Sequence, residues 1–278
     1  MSSENAGTSG AEPDAVEVTD VAWHADLLAR IYSPPAAARG EGTGAAVVDV
    51  HGGAWASQDR TLGVRYCVAA ARAGFTVVSI DFRDGRTAQH PSASEDVAAA
   101  VGWVRARAGD WDVDPERVAL MGSSSGGHLA LLAALTGVPA PFVAAFWPPV
   151  DPQGRYRYAR EQVGRPVPEG QSFDADRLVR STESYFPTEA AMAEASISAV
   201  VSQGRAAHLP AVWLVHAGDD LNVPRPMIDE LVATYRAAGG ELELTEYPGE
   251  VHGFGHGRSA GAERFRGDLV ERLAKALC

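Results

Sequence analysis

A serine flanked by glycines is the strongest chemical signal in this sequence. Residues 122–126 read GSSSG, directly after a short apolar run and directly before a helical pattern. A nucleophilic serine on a tight strand-to-helix turn needs glycines two positions before and after it, because a Cβ there would clash with the backbone. Of the three serines, only Ser124 meets this spacing. We therefore predict that Ser124 is a nucleophile, and the alternative is a Gly/Ser-rich turn that only caps a helix.

A serine nucleophile needs a base, and the base needs a carboxylate that orients it. The candidates follow two later strand-like segments: Asp219 and Asp220 come after residues 211–215, and His252 comes after residues 242–247. The carboxyl ends of parallel strands meet at one edge of a sheet, which is where open α/β sheets place their sites. The sequence therefore predicts a serine, an acid and a histidine that come together in that chain order.

A glycine turn follows an earlier strand-like segment, where residues 50–55 read VHGGAW. Two adjacent glycines let the backbone approach a substrate oxygen closely while their amides stay exposed. Alone, this motif is equally typical of an ordinary turn. Its position at the end of a strand, in order with the other motifs, favours an oxyanion-binding loop.

Short apolar segments alternate with helical patterns along most of the chain. Two strand-like segments lie between residues 16 and 32, and the others are 45–50, 75–82, 118–121, 142–147, 211–215 and 242–247. Unalternating apolar strands separated by helices are typical of a parallel sheet covered on both faces, so the predicted fold class is α/β with a mostly parallel central sheet. Residues 151–204 carry no strand signal, and a structureless loop of that length is uncommon in a compact domain. We predict a small helical insertion there.

These motifs resemble those of the α/β-hydrolase superfamily, in the broad group that contains the hormone-sensitive-lipase-like esterases. The order serine, acid, histidine is also that of the superfamily. Those esterases read HGGG and GDSAGGNLA at the two loops. This chain reads HGGAW and GSSSGGHLA, which is closer to the ferulate-esterase-like and kynurenine-formamidase-like branch. It departs from the family at Ser123, where an acidic residue or histidine is usual, and at Ser125, where alanine is usual.

The resemblance, which runs from about residue 45 to the C-terminus, implies a role for each matching residue. Ser124 would be the nucleophile, Asp220 the orienting acid and His252 the base. Asp220 is preferred to Asp219 because the family pattern D-x-x-V-P begins at Asp220. The backbone N–H groups that bind the oxyanion would be those of three residues: Gly53, Ala54 and Ser125.

Other residues near the motif loops have possible roles in binding. Three aromatic residues are candidate walls of a substrate pocket, with core packing as the alternative: Trp55, Trp147 and Phe254. The insertion at about residues 151–204 is expected to form a cap over the site. Its arginines are balanced by acidic residues, so the sequence predicts no net charge there that would steer an anionic substrate.

A metal site is not expected. His252 and His256 are four residues apart, which on a helix would suit zinc. The glycines at positions 253 and 255 disfavour a helix, and no third ligand is evident. We predict neither a metal nor a cofactor.

Composition and charge exclude several classes of function. The chain has 278 residues, of which 46% are hydrophobic, and a formal net charge of −12. Nucleic-acid binding depends on clustered arginine and lysine residues. The sequence contains no such cluster, so no nucleic-acid partner is expected. The acidic N-terminus has no apolar core of a signal peptide, and no apolar run could cross a bilayer. These features predict a cytoplasmic protein without a membrane partner, with residues 1–15 disordered and residues 16–278 forming the hydrolase domain.

A serine carboxylesterase that acts on small acyl or aryl esters is the function that these motifs favour. An arylformamidase, with a substrate of the N-formylkynurenine type, is the second hypothesis and rests on HGGAW and GGHL. The third is a catalytically silent hydrolase-like binding protein, which the filled serine, acid and histidine positions disfavour. The expected partner is a small-molecule ester, and the sequence predicts no particular oligomeric state.

Overall fold

An eight-stranded sheet forms the centre of the molecule, with the strand order β1-β2-β4-β3-β5-β6-β7-β8. A computed structural model describes residues 15–38, 44–171 and 173–278. The segment predicted to be disordered, residues 1–15, therefore lies outside the described residues except for Ala15. The strands are β1 Glu17–His24, β2 Leu27–Ser33, β3 Ala46–Val50, β4 Thr76–Ile80, β5 Val118–Ser123, β6 Phe142–Phe146, β7 Ala211–Ala217 and β8 Leu242–Tyr247.

The sheet is parallel except at its N-terminal edge. Strand β2 pairs antiparallel with both β1 and β4, whereas all pairs among β3 to β8 are parallel. Strands β3, β4 and β5 are buried along their whole length. Burial on both faces explains why their apolar residues do not alternate with polar ones. The predicted α/β class with a mostly parallel sheet is confirmed.

Helices cover both faces of the sheet. In the described part of the chain they are α1 Val64–Arg72, α2 Ser92–Ala106, α3 Ser125–Thr136, α4 Pro152–Gln162, α5 Ala175–Tyr185, α6 Glu189–Glu194, α7 Ile197–Ser202, α8 Arg225–Ala237 and α9 Ala260–Leu277. Successive strand residues point to opposite faces, so Val47 belongs to the apolar core that includes residues of α1 and α9, and Val48 belongs to the core that includes residues of α2, α3 and α8. Two separate apolar cores result, one on each face.

The segment between β6 and β7 is helical and contains α4 to α7. No strand occurs in its described residues, which are 151–171 and 173–204. Tyr185 and Phe186, at the end of α5, are buried against the indole of Trp55, with ring centroids 6.3 and 5.1 Å away. The insertion therefore packs on the loop that follows β3. None of the described helices has both the length and the apolar character needed to cross a membrane.

Candidate active site

Ser124 stands on a strained turn between β5 and α3. Its φ of 51° and ψ of −124° lie outside the regions that side chains other than glycine usually adopt. Such a conformation costs on the order of 1–3 kcal/mol and persists only where the surroundings impose it. The Ser124 amide donates to the Phe146 carbonyl at 2.8 Å, and the Ser124 carbonyl accepts from the His128 amide at 3.1 Å. These bonds fix the turn from the neighbouring strand β6 and from the first turn of α3.

The glycines around Ser124 are required by the close approach of the backbone. A Cβ on Gly126 would lie 1.9 Å from the Val50 carbonyl oxygen, at the end of β3. A Cβ on Gly122 would lie 2.6 Å from the Gly126 carbonyl. Helix α3 can therefore begin immediately above the strand ends, which directs its N-terminal amides at the space beside Ser124.

A hydrogen-bonded chain links Ser124 to a buried carboxylate. The Ser124 Oγ lies 2.9 Å from His252 Nε2, and His252 Nδ1 lies 2.8 Å from Asp220 Oδ2. The Asp220 side chain is fully buried, and its Oδ1 accepts the amides of Asn222 and Val223 at 2.7 and 2.9 Å. With His252 Nδ1–H donating to Asp220, Nε2 is left to accept the hydroxyl proton of Ser124.

The two adjacent aspartates, Asp219 and Asp220, have different surroundings and contacts. Asp219 is exposed, its amide donates to the Glu250 carbonyl at 2.9 Å, and its own carbonyl accepts from Gln171. Of the two carboxylates, it is that of Asp220 that contacts His252.

The loop after β3 is held in an unusual backbone conformation. Gly53, Ala54 and Trp55 all have positive φ, at 126°, 54° and 60°. A Cβ on Gly53 would lie 2.0 Å from the Ser57 carbonyl oxygen, so only glycine fits there. Among the described residues, no hydrogen-bond acceptor is recorded for the amides of Gly53, Ala54 or Ser125. These are the three amides that the sequence predicts to bind an oxyanion, and of the three residues Gly53 lines the cavity that opens at Ser124.

His51 supports this loop from beneath. Burial lowers the pKa of His51, so the ring is neutral, and its Nδ1 lies 2.7 Å from the Gly52 carbonyl oxygen, to which it donates. The ring also stacks on Phe82 with a centroid distance of 4.4 Å. These contacts fit a bracing residue.

Trp55 is an anchor for the loop, and it does not line the cavity at Ser124. Its side chain is 1% exposed, and its indole N–H donates to His128 Nδ1 at 3.3 Å. The other His128 nitrogen, Nε2, donates to the Ala195 carbonyl at 2.8 Å. Burial lowers the pKa of His128 to about 3, which keeps the ring neutral and able to accept from Trp55. The guanidinium of Arg155 lies over the indole, 5.0 Å from its centroid.

A cavity of about 150 Å³ opens at Ser124 and His252. Of the three aromatic residues predicted to line a pocket, only Trp147 is part of its wall. Phe254 packs behind it, with its ring centroid 5.0 Å from that of Trp147, and is 6% exposed. The predicted pocket role of Phe254, like that of Trp55, is replaced by packing.

Other cavity residues escaped prediction from the sequence: Gln58, Arg177, Asn222 and His256. Arg177 belongs to the insertion, about fifty residues after the GSSSG motif and about forty before Asp220, and no local pattern marks it. The spacing from His252 is the sequence signal that marks His256. No three His, Cys, Asp or Glu side chains in the described ranges are grouped so that they could hold a metal ion.

The fold and the site together define an α/β hydrolase with a serine at the strand-to-helix turn. A family model described as alpha/beta hydrolase fold matches residues 47–256. The chain belongs to this family.

Relatives with known names are similar to most of this chain. Esterase LipC of Mycobacterium tuberculosis is 29% identical over 226 residues, which are 75% of this chain and 52% of that protein. Carboxylesterase NlhH of the same species is 28% identical over 246 residues, or 82% of this chain and 71% of that protein. The chain thus spans about half the length of LipC. The solved structure of Thermogutta terrifontis esterase 2 phosphonylated by sarin has a TM-score of 0.71 at 24% identity, covering 95% of this chain and 96% of its own. At that identity the likeness shows the fold alone.

Proposed function

We propose that this protein is a serine carboxylesterase that hydrolyses small acyl or aryl esters. The observation that carries the proposal is the continuous contact from the Ser124 hydroxyl through His252 to the buried Asp220 carboxylate. The names of LipC and NlhH, an esterase and a carboxylesterase, support the same class of reaction. A cavity of about 150 Å³ suits a short acyl chain better than a long one.

In the first half of the reaction, Ser124 forms an acyl-enzyme. His252 Nε2 takes the hydroxyl proton as Ser124 Oγ attacks the ester carbonyl carbon, and Asp220 stabilises the imidazolium that forms. The carbonyl oxygen becomes an oxyanion, which the amides of Gly53, Ala54 and Ser125 bind. Because these donors are fixed before the substrate arrives, they need little reorganisation when the charge develops. Collapse of the intermediate breaks the bond to the alcohol, which leaves with the proton from His252.

The second half repeats the same steps with water. His252 removes a proton from a water molecule, and the resulting hydroxide attacks the acyl carbon. The oxyanion again lies against the loop amides. Collapse releases the carboxylic acid and returns the proton to Ser124, so the residues end in their starting states.

Replacement of Ser124 tests the proposal directly. We expect Ser124→Ala to lower kcat for p-nitrophenyl acetate on the order of 10⁴-fold or more, because the amides and the binding site alone retain only a small part of the rate. The variant should also lose covalent labelling by a fluorophosphonate. The matched control is Ser123→Ala, which removes a neighbouring hydroxyl that does not contact His252 and should keep the labelling. Undiminished turnover by Ser124→Ala would reject Ser124 as the nucleophile.

A second substrate in the same experiment separates the two enzymatic hypotheses. If the protein is a carboxylesterase, kcat/KM is higher for p-nitrophenyl acetate than for N-formylkynurenine. A higher kcat/KM for N-formylkynurenine, with this activity absent in Ser124→Ala, would make the protein an arylformamidase. Absence of labelling and of both activities would leave the binding protein as the surviving hypothesis.

A further inference from the structure

Arg177 brings a guanidinium to the cavity that contains Ser124 and His252. It lies in the first turn of α5 and its side chain is exposed. The guanidinium donates to Ser57 Oγ at 3.2 Å, and the Ser57 hydroxyl in turn donates to the Gly53 carbonyl at 2.8 Å. Arg177 is therefore connected to the loop that carries the candidate oxyanion donors.

The charge of Arg177 has no carboxylate partner among the described residues. The nearby Asp174 carboxylate caps α5 by accepting the Arg177 backbone amide at 2.8 Å, and it forms no ion pair with the guanidinium. Elsewhere in the insertion Arg157 is paired with Glu189 at 2.9 Å. The acidic residues that balance the insertion in composition thus do not neutralise Arg177.

Arg155 adds a second positive charge on this side of the site. It is 1% exposed, lies over the Trp55 indole and donates to Thr182 Oγ1 at 3.2 Å. Burial lowers its pKa to about 10, so the group stays protonated at neutral pH. The negative charge of Asp220 favours the protonated form of Arg155, but that carboxylate is already bonded to His252 and two backbone amides. The insertion thus places two cations beside the loop after β3, in a protein whose formal net charge is −12.

We propose that Arg177 binds a carboxylate on the acyl part of the substrate, so that half-esters of short dicarboxylic acids are the preferred substrate class. This inference rests on the esterase function proposed above. A guanidinium can bind a carboxylate through two parallel hydrogen bonds. Because the Arg177 guanidinium forms no ion pair with a described residue, it can bind a substrate carboxylate without breaking one.

The acyl side is favoured by where Arg177 is attached. The leaving alcohol must lie beside His252, since that residue returns the proton to it. Arg177 is bonded instead to the loop after β3, through Ser57 and Gly53. A carboxylate at its guanidinium therefore belongs to the part of the substrate that stays on Ser124.

Two isosteric substrates test the proposal. Monoethyl succinate carries a carboxylate where ethyl 4-methylpentanoate carries an isopropyl group, and ethanol release reports both reactions. We expect kcat/KM to favour the half-ester in the natural protein. Arg177→Gln should lower the ratio of the two values about 10-fold, the effect of losing a charge-assisted hydrogen bond at a solvent-exposed position. Arg177→Lys should retain part of the preference, and added salt should weaken it.

Arg180→Gln is the matched control, because Arg180 is an exposed arginine of the same helix that does not line the cavity. It removes the same charge and should leave the ratio unchanged. An equal fall in both variants would mean a diffuse field of the insertion and would overturn binding by Arg177. So would a ratio that Arg177→Gln does not change.

A second substrate pair tests the acyl assignment. Acetoxyacetate carries a carboxylate on its alcohol part where isobutyl acetate carries an isopropyl group. We expect Arg177→Gln to leave the ratio of the two kcat/KM values unaltered. A fall confined to this pair would overturn the acyl assignment. Failure of the esterase proposal itself would look different: no ester would be hydrolysed, or Ser124→Ala would keep the activity.

Discussion

At the scale of single residues, the candidate site depends on the hydrogen bonds that hold both oxygens of the Asp220 carboxylate. One of its oxygens accepts two backbone amides, from Asn222 and Val223, and the other faces His252 Nδ1. The carboxylate is thus held by its own loop, and the imidazole is held by the carboxylate. Asp219 differs by one position in the sequence and shares none of these contacts.

The substitution Asp220→Asn should therefore be far more harmful than Asp219→Asn. The two backbone amides would donate to the carbonyl oxygen of the new asparagine side chain. Its NH₂ group would then point toward His252 Nδ1. That group cannot accept a proton, so the imidazole would carry its hydrogen on Nε2 and could not act as a base toward Ser124. We expect kcat to fall about 10⁴-fold. Steady-state kinetics of the two variants are the measurement, and equal activities would reject Asp220 as the orienting acid.

The sequence predicted the residues that meet at this site but not the whole wall of the cavity. Ser124, Asp220 and His252 each follow a strand of a parallel sheet, and sheet geometry alone brings such positions to one edge. Arg177 reaches the cavity from α5, whose position depends on the packing of the insertion. That packing involves contacts between distant segments, such as Tyr185 with Trp55, which no local pattern reports.

At the scale of elements, the crossing of α3 over the end of β3 leaves no room for a side chain. It depends on Gly126, whose hydrogen faces the Val50 carbonyl with no room for a methyl group. Helix α2 contains a glycine in the opposite situation, since nothing lies within 4 Å of a Cβ built on Gly102.

The two glycines give a matched test of this crossing. We expect Gly126→Ala to lower the free energy of unfolding by about 3 kcal/mol, because the helix must shift away from β3. Gly102→Ala should raise it by roughly 0.5–1 kcal/mol, since alanine is the better residue in a helix and meets no neighbour. Urea denaturation of both variants measures the difference. A similar small effect at the two positions would contradict the close approach of α3 and β3.

The elements differ in how well the sequence predicted them. The alternation of apolar and helical segments located the strands of the sheet, because burial on both faces leaves a clear local signature. In the insertion the same reasoning predicted helices but not their number or ends. Helix α5 begins at the cap Asp174 and α6 at the cap Thr188, and such polar residues are common throughout the segment.

At the scale of the whole molecule, the sheet separates two apolar cores, and one of them contains a carboxyl group. Asp49 of β3 is fully buried on the face covered by α1 and α9. It accepts hydrogen bonds from Ser79 Oγ at 2.6 Å, Tyr66 OH at 3.2 Å and Cys67 Sγ at 3.4 Å. Burial outweighs these bonds and raises the pKa of Asp49 to about 6.

This buried carboxyl should make stability depend on pH with a definite sign. An unfolded chain loses the Asp49 proton near its ordinary pKa of about 3.9, whereas the folded protein keeps it up to about 6. Between these values the folded state binds more protons, so the contribution of Asp49 to stability falls as the pH rises. A shift of the pKa by about two units corresponds to at most about 3 kcal/mol of stability.

The variant Asp49→Asn tests this dependence because it removes the titrating group. The free energy of unfolding of the variant minus that of the natural protein should increase by up to this amount from about pH 4 to about pH 7. Urea denaturation across this range measures it, and Asp26→Asn, at an exposed carboxylate between β1 and β2, should show no such increase. A difference that stays constant with pH would mean that Asp49 ionises in the folded core as readily as in the unfolded chain.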